Sequence, residues 1–168
     1  MDPAADVDRK ILLIETRQVP RGATVTFPVA DLNAWVRAQA RELVPEGLRE
    51  PKLKLANGSA TATALVDFIK LRHSAGVDTN WLLSKLIEGE KPVLVVATLR
   101  CSQGQATVHP LRVEIGGLAV TGATLDFLIE TFLLPLFPNA KVDKPFALAD
   151  GVDRIDITPG AAWVYMKK

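Results

Sequence analysis

The chain of 168 residues is long enough for one well-buried core and short for two independent domains, and 48% of its residues are apolar and 23% charged. We therefore expect one folded domain spanning residues 1–168 rather than a disordered chain. The 20 basic and 19 acidic residues give a formal net charge of +1 without a block of like charges, which argues against nucleic acid as a partner.

The N-terminal residues 1–9 contain no apolar signal core, and we expect a disordered tail or a cloning remnant there. If a leader or anchor has been removed before this segment, the protein belongs to the periplasm or cell envelope; otherwise it is cytoplasmic. The longest apolar stretch, residues 118–137, has about the length of a membrane span. It contains Asp126 and Glu130, and we interpret it as a strand end followed by an apolar helix of a soluble domain.

The first half of the chain alternates strand and helix patterns. Two β-branched runs, Ile11–Val19 and Ala23–Phe27, are separated by turn residues and predict two consecutive strands. From Asp31, a candidate N-cap, the apolar residues follow a helical period until Pro45. A hairpin is predicted next, with strands over 52–56 and 59–71 joined by Asn57-Gly58.

The second half repeats this alternation, with turn residues between neighbouring strands. The predicted elements are a helix over 77–87, strands over 92–101 and 105–115, a helix over 124–137, and strands over 152–158 and 161–167. Hairpins separated by single helices favour antiparallel pairing. The sequence therefore predicts an α+β fold in the order ββαββαββαββ, in which a strongly curved antiparallel sheet of about eight strands wraps the long apolar helix, with two further helices.

Few residues in the sequence carry recognisable chemistry. The chain has two histidines, His73 and His109, which are too few for a zinc site. Cys101 and His109 lie near one predicted hairpin and form the one candidate nucleophile and base. We interpret them instead as a strand cysteine and a surface histidine, because the sequence shows neither an acidic residue to orient the histidine nor an oxyanion-binding loop. We therefore expect a protein that is not an enzyme and needs no metal or cofactor.

The helix over 124–137 is apolar around most of its circumference. One stripe has the spacing of a core-facing helix and consists of Leu125, Leu128, Ile129, Phe132, Leu133 and Leu136. Phe127, Leu134 and Phe137 lie outside that stripe, so the helix needs a second apolar partner. The second wall of the core, a bound lipid and a second subunit are all consistent with this pattern, and the oligomeric state stays open.

The segment VTFPVADLNAWV, with a β-run, a polar cap and Leu32-Asn33 opening a helix, is similar to the start of small exported bacterial proteins of the tubular lipid-binding (TULIP) superfamily. The similarity extends to the later hairpins, to the apolar helix over 124–137 and to the closing segment PFALADGVDRIDITPGAAWV. The resemblance implies a cell-envelope protein that holds a phospholipid or fatty-acyl ligand in a groove between helix and sheet, possesses no catalytic residue and contacts a membrane surface.

Under this resemblance, we expect the apolar groove to be lined by Trp35, Val36, Phe68, Leu128, Phe132 and Leu136. Basic side chains at a rim would meet the head group, and the candidates are Arg37, Arg41 and Lys70. The alternative is a periplasmic scaffold or assembly protein that uses the apolar helix as a protein–protein interface.

Overall fold

The computed structural model describes residues 2–68, 70, 89–134 and 141–168, without the side chains of residues 132 and 133. Its helices are α1 (Pro3–Glu15), α2 (Val29–Leu43) and α3 (Gly122–Leu128), which continues as a π-helix over Ile129–Leu133. Its strands are β1 (Thr24–Pro28), β2 (Leu48–Ala56), β3 (Ser59–Asp67), β4 (Glu90–Ser102), β5 (Gln105–Ile115), β6 (Leu118–Ala119), β7 (Phe146–Ala147), β8 (Val152–Thr158) and β9 (Ala161–Met166). The predicted α+β class is confirmed, since these strands pair antiparallel.

The described strands form two sheets instead of the single strongly curved sheet that the sequence predicted. The smaller sheet has the order β1-β9-β8, and the larger has the order β2-β3-β4-β5-β6 with β7 also paired to β5. The larger sheet neither curls strongly nor closes. The pairing explains this outcome, because β1, β8 and β9, from opposite ends of the chain, bond to one another and do not extend the larger sheet.

The two sheets meet where hairpin turns of the larger sheet contact β8. The backbone N–H of Gly58, in the predicted Asn-Gly turn, donates to the carbonyl of Ile157 at 2.9 Å. The N–H of Gly104, in the β4–β5 turn, donates to the carbonyl of Asp153 at 3.0 Å. Both glycines have positive φ, 75° and 78°, which side chains with a Cβ rarely adopt. These turns therefore satisfy backbone groups at the outer edge of β8.

Helix α1 is the largest departure from the sequence prediction. The side chain of Asp2 accepts a hydrogen bond from the backbone N–H of Ala4 at 3.0 Å, and Pro3 occupies the first turn. The predicted strand over Ile11–Val19 is wrong, and residues 3–9 form a helix, not a disordered tail. A helix forms despite the β-branched residues of this run, because Ile14 within it and Val7 before it have helical spacing and are buried against the smaller sheet.

The long apolar helix predicted over 124–137 is not found in the described residues. Helix α3 begins at Gly122, where Thr121 provides no side-chain capping bond, and its hydrogen-bond pattern changes to that of a π-helix at Ile129. Residues 135–140 and the predicted helix over 77–87 lie outside the described residues. Among the described helices, none has both the length and the hydropathy needed to cross a membrane.

In the described part of the chain, most buried apolar residues belong to one of two clusters, one for each sheet. The smaller-sheet core consists of Val7, Ile14, Phe27, Val152, Val164 and Met166. The larger-sheet core consists of Val44, Val66, Phe68, Ile115, Val120 and Leu128. Helix α2 bridges them, because Leu32 and Trp35 pack on the first cluster while Ala40 packs on the second.

Candidate ligand-binding groove

An apolar groove of about 280 Å³ lies between α1, α2 and the smaller sheet. Strand alternation supplies its floor, because Phe27 of β1 pairs with Ala162 of β9, and Val164 of β9 pairs with Ile155 of β8, on one face of the sheet. The described residues that line it are Val7, Ile11, Ile14, Glu15, Phe27, Leu32, Trp35, Leu148, Ala149, Val152, Ile155, Ala162 and Val164. A space with these walls favours an apolar ligand.

Trp35 links the two helices that bound the groove. Its half-buried ring lines the groove from α2, and its indole Nε1–H donates to Oδ1 of Asp8 on α1 at 2.8 Å. The polar end of this tryptophan is therefore paired at the surface while its ring contributes apolar area inside. Of the predicted groove residues whose side chains the structure describes, Trp35 is the one that lines this space.

Other polar contacts hold α1 on the smaller sheet. The Nζ of Lys10 donates to the carbonyl oxygen of Thr26 at 2.6 Å and lies 5.5 Å from the centre of the Phe27 ring. Within α1, the guanidinium of Arg9 contacts the Asp6 carboxylate at 2.6 Å, and this hydrogen bond lowers the pKa of Asp6 below its ordinary value. The helix is thus fixed to the sheet by a bond from Lys10 to the backbone as well as by its apolar stripe.

Two other predicted groove residues belong to the larger-sheet core. Phe68 and Leu128 are both buried and both members of that cluster, so the structure brings them together but separates them from Trp35. Val36 is half-buried on α2, outside the lining of the groove. The Phe132 side chain and Leu136 lie outside the described residues.

The predicted basic rim does not line the groove. Arg37 and Arg41 are exposed on α2. Lys70 is exposed beside the larger sheet. There the hydrogen bond from Arg49 is the main cause that lowers the pKa of Glu90, and the positive charge of Lys70 contributes to the same shift. No cluster of these three cations around the groove is present in the described part of the chain.

Sequence reasoning missed the contribution of α1, which supplies Val7, Ile11 and Ile14 to the groove. The signal was available in two features. Asp2-Pro3 is a good N-cap followed by a good first helical residue, and the apolar residues recur with helical spacing through the β-branched run. The composition of the run ILLIE suggested a strand, whereas its period indicated a helix.

The candidate pair of Cys101 and His109 is wrong, because the register separates the two side chains. Thr98 of β4 is paired with His109, and Cys101 is paired with Ala106. Since Thr98 and Cys101 are three residues apart in a strand, their side chains, and those of their partners, point to opposite faces. The His109 ring instead pairs with the Asp143 carboxylate at the surface. In the described residues, no group of three or more His, Cys, Asp or Glu residues could hold a metal ion.

Comparisons of the chain with protein-family models, with curated proteins and with solved structures find no match. The similarity to the TULIP superfamily therefore stays a prediction, and the groove has to be interpreted from its own walls.

Proposed function

We propose that this protein binds one apolar chain, such as the acyl or alkyl chain of a single-chain amphiphile, in the groove between α1, α2 and the smaller sheet. The observation that carries the proposal is the composition of the walls, where aliphatic and aromatic side chains and alanine are joined by Glu15 as the one ionisable residue among the described lining residues. Binding is non-enzymatic, since its driving force is the removal of apolar surface from water.

The size of the groove selects for a small ligand. A volume of about 280 Å³ lies just below the roughly 300–1,000 Å³ typical of sites for drug-sized molecules. One alkyl chain suits this space better than the two chains of a phospholipid. Burial of each methylene is worth about 0.8 kcal/mol, so about eight methylenes would contribute roughly 6 kcal/mol before the costs of association.

The wider assignment to a lipid-binding protein of the cell envelope is part of the same proposal. Its support is the antiparallel α+β architecture together with an apolar groove between helix and sheet. The groove differs from the one expected from the TULIP resemblance, because α1 and α2 form its helical wall in place of the helix over 124–137. The head group and the compartment depend on experiment.

A variant that fills the groove tests the proposal more cleanly than one that disrupts it. Ala162 is a half-buried lining residue of β9, and Ala162→Leu places additional carbon atoms in the space that the ligand would occupy. Ala5→Leu adds the same side chain on the exposed side of α1 and serves as the matched control. Titration with the neutral fluorophore N-phenyl-1-naphthylamine should show saturable binding to the wild-type protein and to Ala5→Leu.

Ala162→Leu should bind this fluorophore at least about tenfold more weakly while keeping the circular dichroism spectrum of the wild type. Equal binding by a folded Ala162→Leu variant would contradict this location of the site.

The scaffold alternative is favoured by a different observation. Leu118 and Phe127, on β6 and α3, are 63% and 38% exposed, although both are large apolar residues. Absence of ligand binding, combined with concentration-dependent association in sedimentation velocity that Phe127→Ser abolishes, would support the alternative over the groove.

A further inference from the structure

The mouth of the groove carries one acidic group. Glu15 is the last residue of α1, is exposed, and is the sole ionisable residue among the described residues that line the groove. A ligand whose alkyl chain occupies the groove would therefore have its polar end near this carboxylate or in solvent. The negative charge of Glu15 would attract a cationic polar end and repel an anionic one.

The two cations within five residues of Glu15 in the sequence have partners of their own. Arg17 forms an ion pair with Asp150 at 2.6 Å, and Lys10 is bonded to the Thr26 carbonyl and lies 3.6 Å from Asp6. The side chain of Glu15 has no hydrogen bond or ion pair within the described part of the chain. Its carboxylate is therefore available to a bound ligand.

The position of Glu15 in the helix increases the negative potential at the mouth. The C-terminus of a helix carries a partial negative charge, which a basic residue in the last turn would compensate. Helix α1 has no basic residue in its last turn and ends on an acidic one. Asp8, seven residues earlier on α1, does not line the groove, and its carboxylate accepts the hydrogen bond from Trp35.

We infer that the ligand is a single-chain amphiphile with a cationic nitrogen at its polar end, an alkylammonium, which is held by its chain in the apolar groove and by its charge at Glu15. This inference rests on the proposed function. It disfavours a free fatty acid, because the carboxylate of a fatty acid would face the Glu15 carboxylate and no cation is among the described residues that line the groove. It also replaces the basic rim expected from the sequence, since Arg37, Arg41 and Lys70 do not line the groove.

Three ligands with the same alkyl chain and different polar ends separate the contribution of the chain to binding from that of the polar end. Dodecylammonium, dodecanol and dodecanoate would be used to displace N-phenyl-1-naphthylamine near pH 7 and below their micellar concentrations. Wild-type protein should bind dodecylammonium roughly tenfold more tightly than dodecanoate, with dodecanol between them, because a charge-assisted contact forms with the amine alone. High salt should reduce this preference, since it screens exposed charges.

Glu15→Gln keeps the shape of the side chain and removes its charge. In this variant the affinity for dodecylammonium should fall to within about twofold of the affinity for dodecanol, and the affinity for dodecanol should be the same as in the wild type. Glu42→Gln removes a carboxylate from an exposed position on α2 outside the groove, and this control should keep the wild-type order.

The outcomes separate the inference from the function on which it depends. If dodecanol displaces the fluorophore but dodecylammonium binds no more tightly than dodecanoate, the cationic ligand is wrong and the apolar groove stands. The cationic ligand is also wrong if Glu15→Gln keeps the wild-type preference for dodecylammonium over dodecanoate. If none of the three ligands displaces the fluorophore, the proposed function itself fails.

Discussion

The side-chain amide of Asn33 binds both backbone groups of Leu53. Its Nδ2 donates to the Leu53 carbonyl at 2.9 Å, and its Oδ1 accepts from the Leu53 N–H at 2.8 Å. Because Leu53 belongs to β2, the edge strand of the larger sheet, Asn33 occupies a position that a further strand would otherwise take. This contact fixes α2 beside the sheet and, through Trp35 on the same helix, positions one wall of the groove.

Replacement of Asn33 by alanine should lower the free energy of unfolding by about 1–3 kcal/mol, since it leaves both groups of Leu53 without this partner. Urea denaturation followed by circular dichroism measures the loss. Gln39→Ala, on the same helix, serves as the control and should change stability by less than about 0.5 kcal/mol. Equal losses in the two variants would mean that the Asn33 contact contributes nothing specific.

Because α1 packs on the smaller sheet, two of its apolar residues should contribute differently to the stability of the protein. Val7 is 1% exposed in the smaller-sheet core, whereas Leu12 is 58% exposed. Val7→Ala should destabilise the protein by about 2 kcal/mol through lost burial and the cavity that remains. Leu12→Ala should be nearly neutral in the same urea titration. If Val7→Ala were also neutral, α1 would not be packed on the sheet.

Local sequence signals predict some elements of this fold, whereas contacts between distant parts of the chain decide others. The hairpin at Asn57-Gly58 and the final strands were predicted well, because a local turn signal and an alternating pattern fix them without reference to the rest of the chain. The run at Ile11 was misassigned because β-branched residues suit a strand unless distant partners bury them on a helical face. Which strands share a sheet was also hidden, since β1 pairs with β9 near the other end of the sequence.

The groove between α1, α2 and the smaller sheet is not the one that the sequence predicted. The expected groove lay between the helix over 124–137 and one curved sheet, and of its predicted lining residues that the structure describes, Trp35 alone lines the space found here. Its other walls come from α1, which the sequence analysis did not recognise as a helix, and from the smaller sheet, which depends on long-range pairing. Phe68 and Leu128 are equally apolar in sequence, and their place in the other core follows from tertiary packing alone.

Trp35 should report ligand binding directly. Its ring lines the groove, so a bound alkyl chain replaces water near the indole and should shift its emission to shorter wavelength. Trp81→Phe with Trp163→Phe leaves Trp35 as the sole tryptophan of the chain, and in this variant dodecanol should produce the shift. The same ligand should produce little change in a variant that retains Trp163 alone, because Trp163 does not line the groove. An unchanged Trp35 spectrum at saturating ligand would contradict the location of the site.

The ion pair between Arg49 and Glu90 predicts a dependence of stability on pH. The hydrogen bond from Arg49, at 2.6 Å, holds the pKa of Glu90 below its ordinary value of 4.5. A carboxyl whose pKa is lowered by folding stabilises the protein fully above the unfolded value, and this contribution is lost as pH falls through the folded value. The urea midpoint of Glu90→Gln should therefore lie below that of the wild type near pH 7 and approach it as the pH falls below 4.5. A difference that stays constant over this fall in pH would contradict the assignment.

The most direct test of the central claim is mass spectrometry of organic extracts from the purified wild-type protein and from Ala162→Leu, prepared identically. The account predicts a near-stoichiometric single-chain amphiphile in the wild-type extract and a strong reduction of the same species in the variant. A two-chain lipid or a fatty acid in the wild-type extract would preserve an apolar site but contradict the ligand inferred from its size and from Glu15. The same amount of ligand in both extracts, from equally folded proteins, would contradict the groove between α1, α2 and the smaller sheet as the binding site.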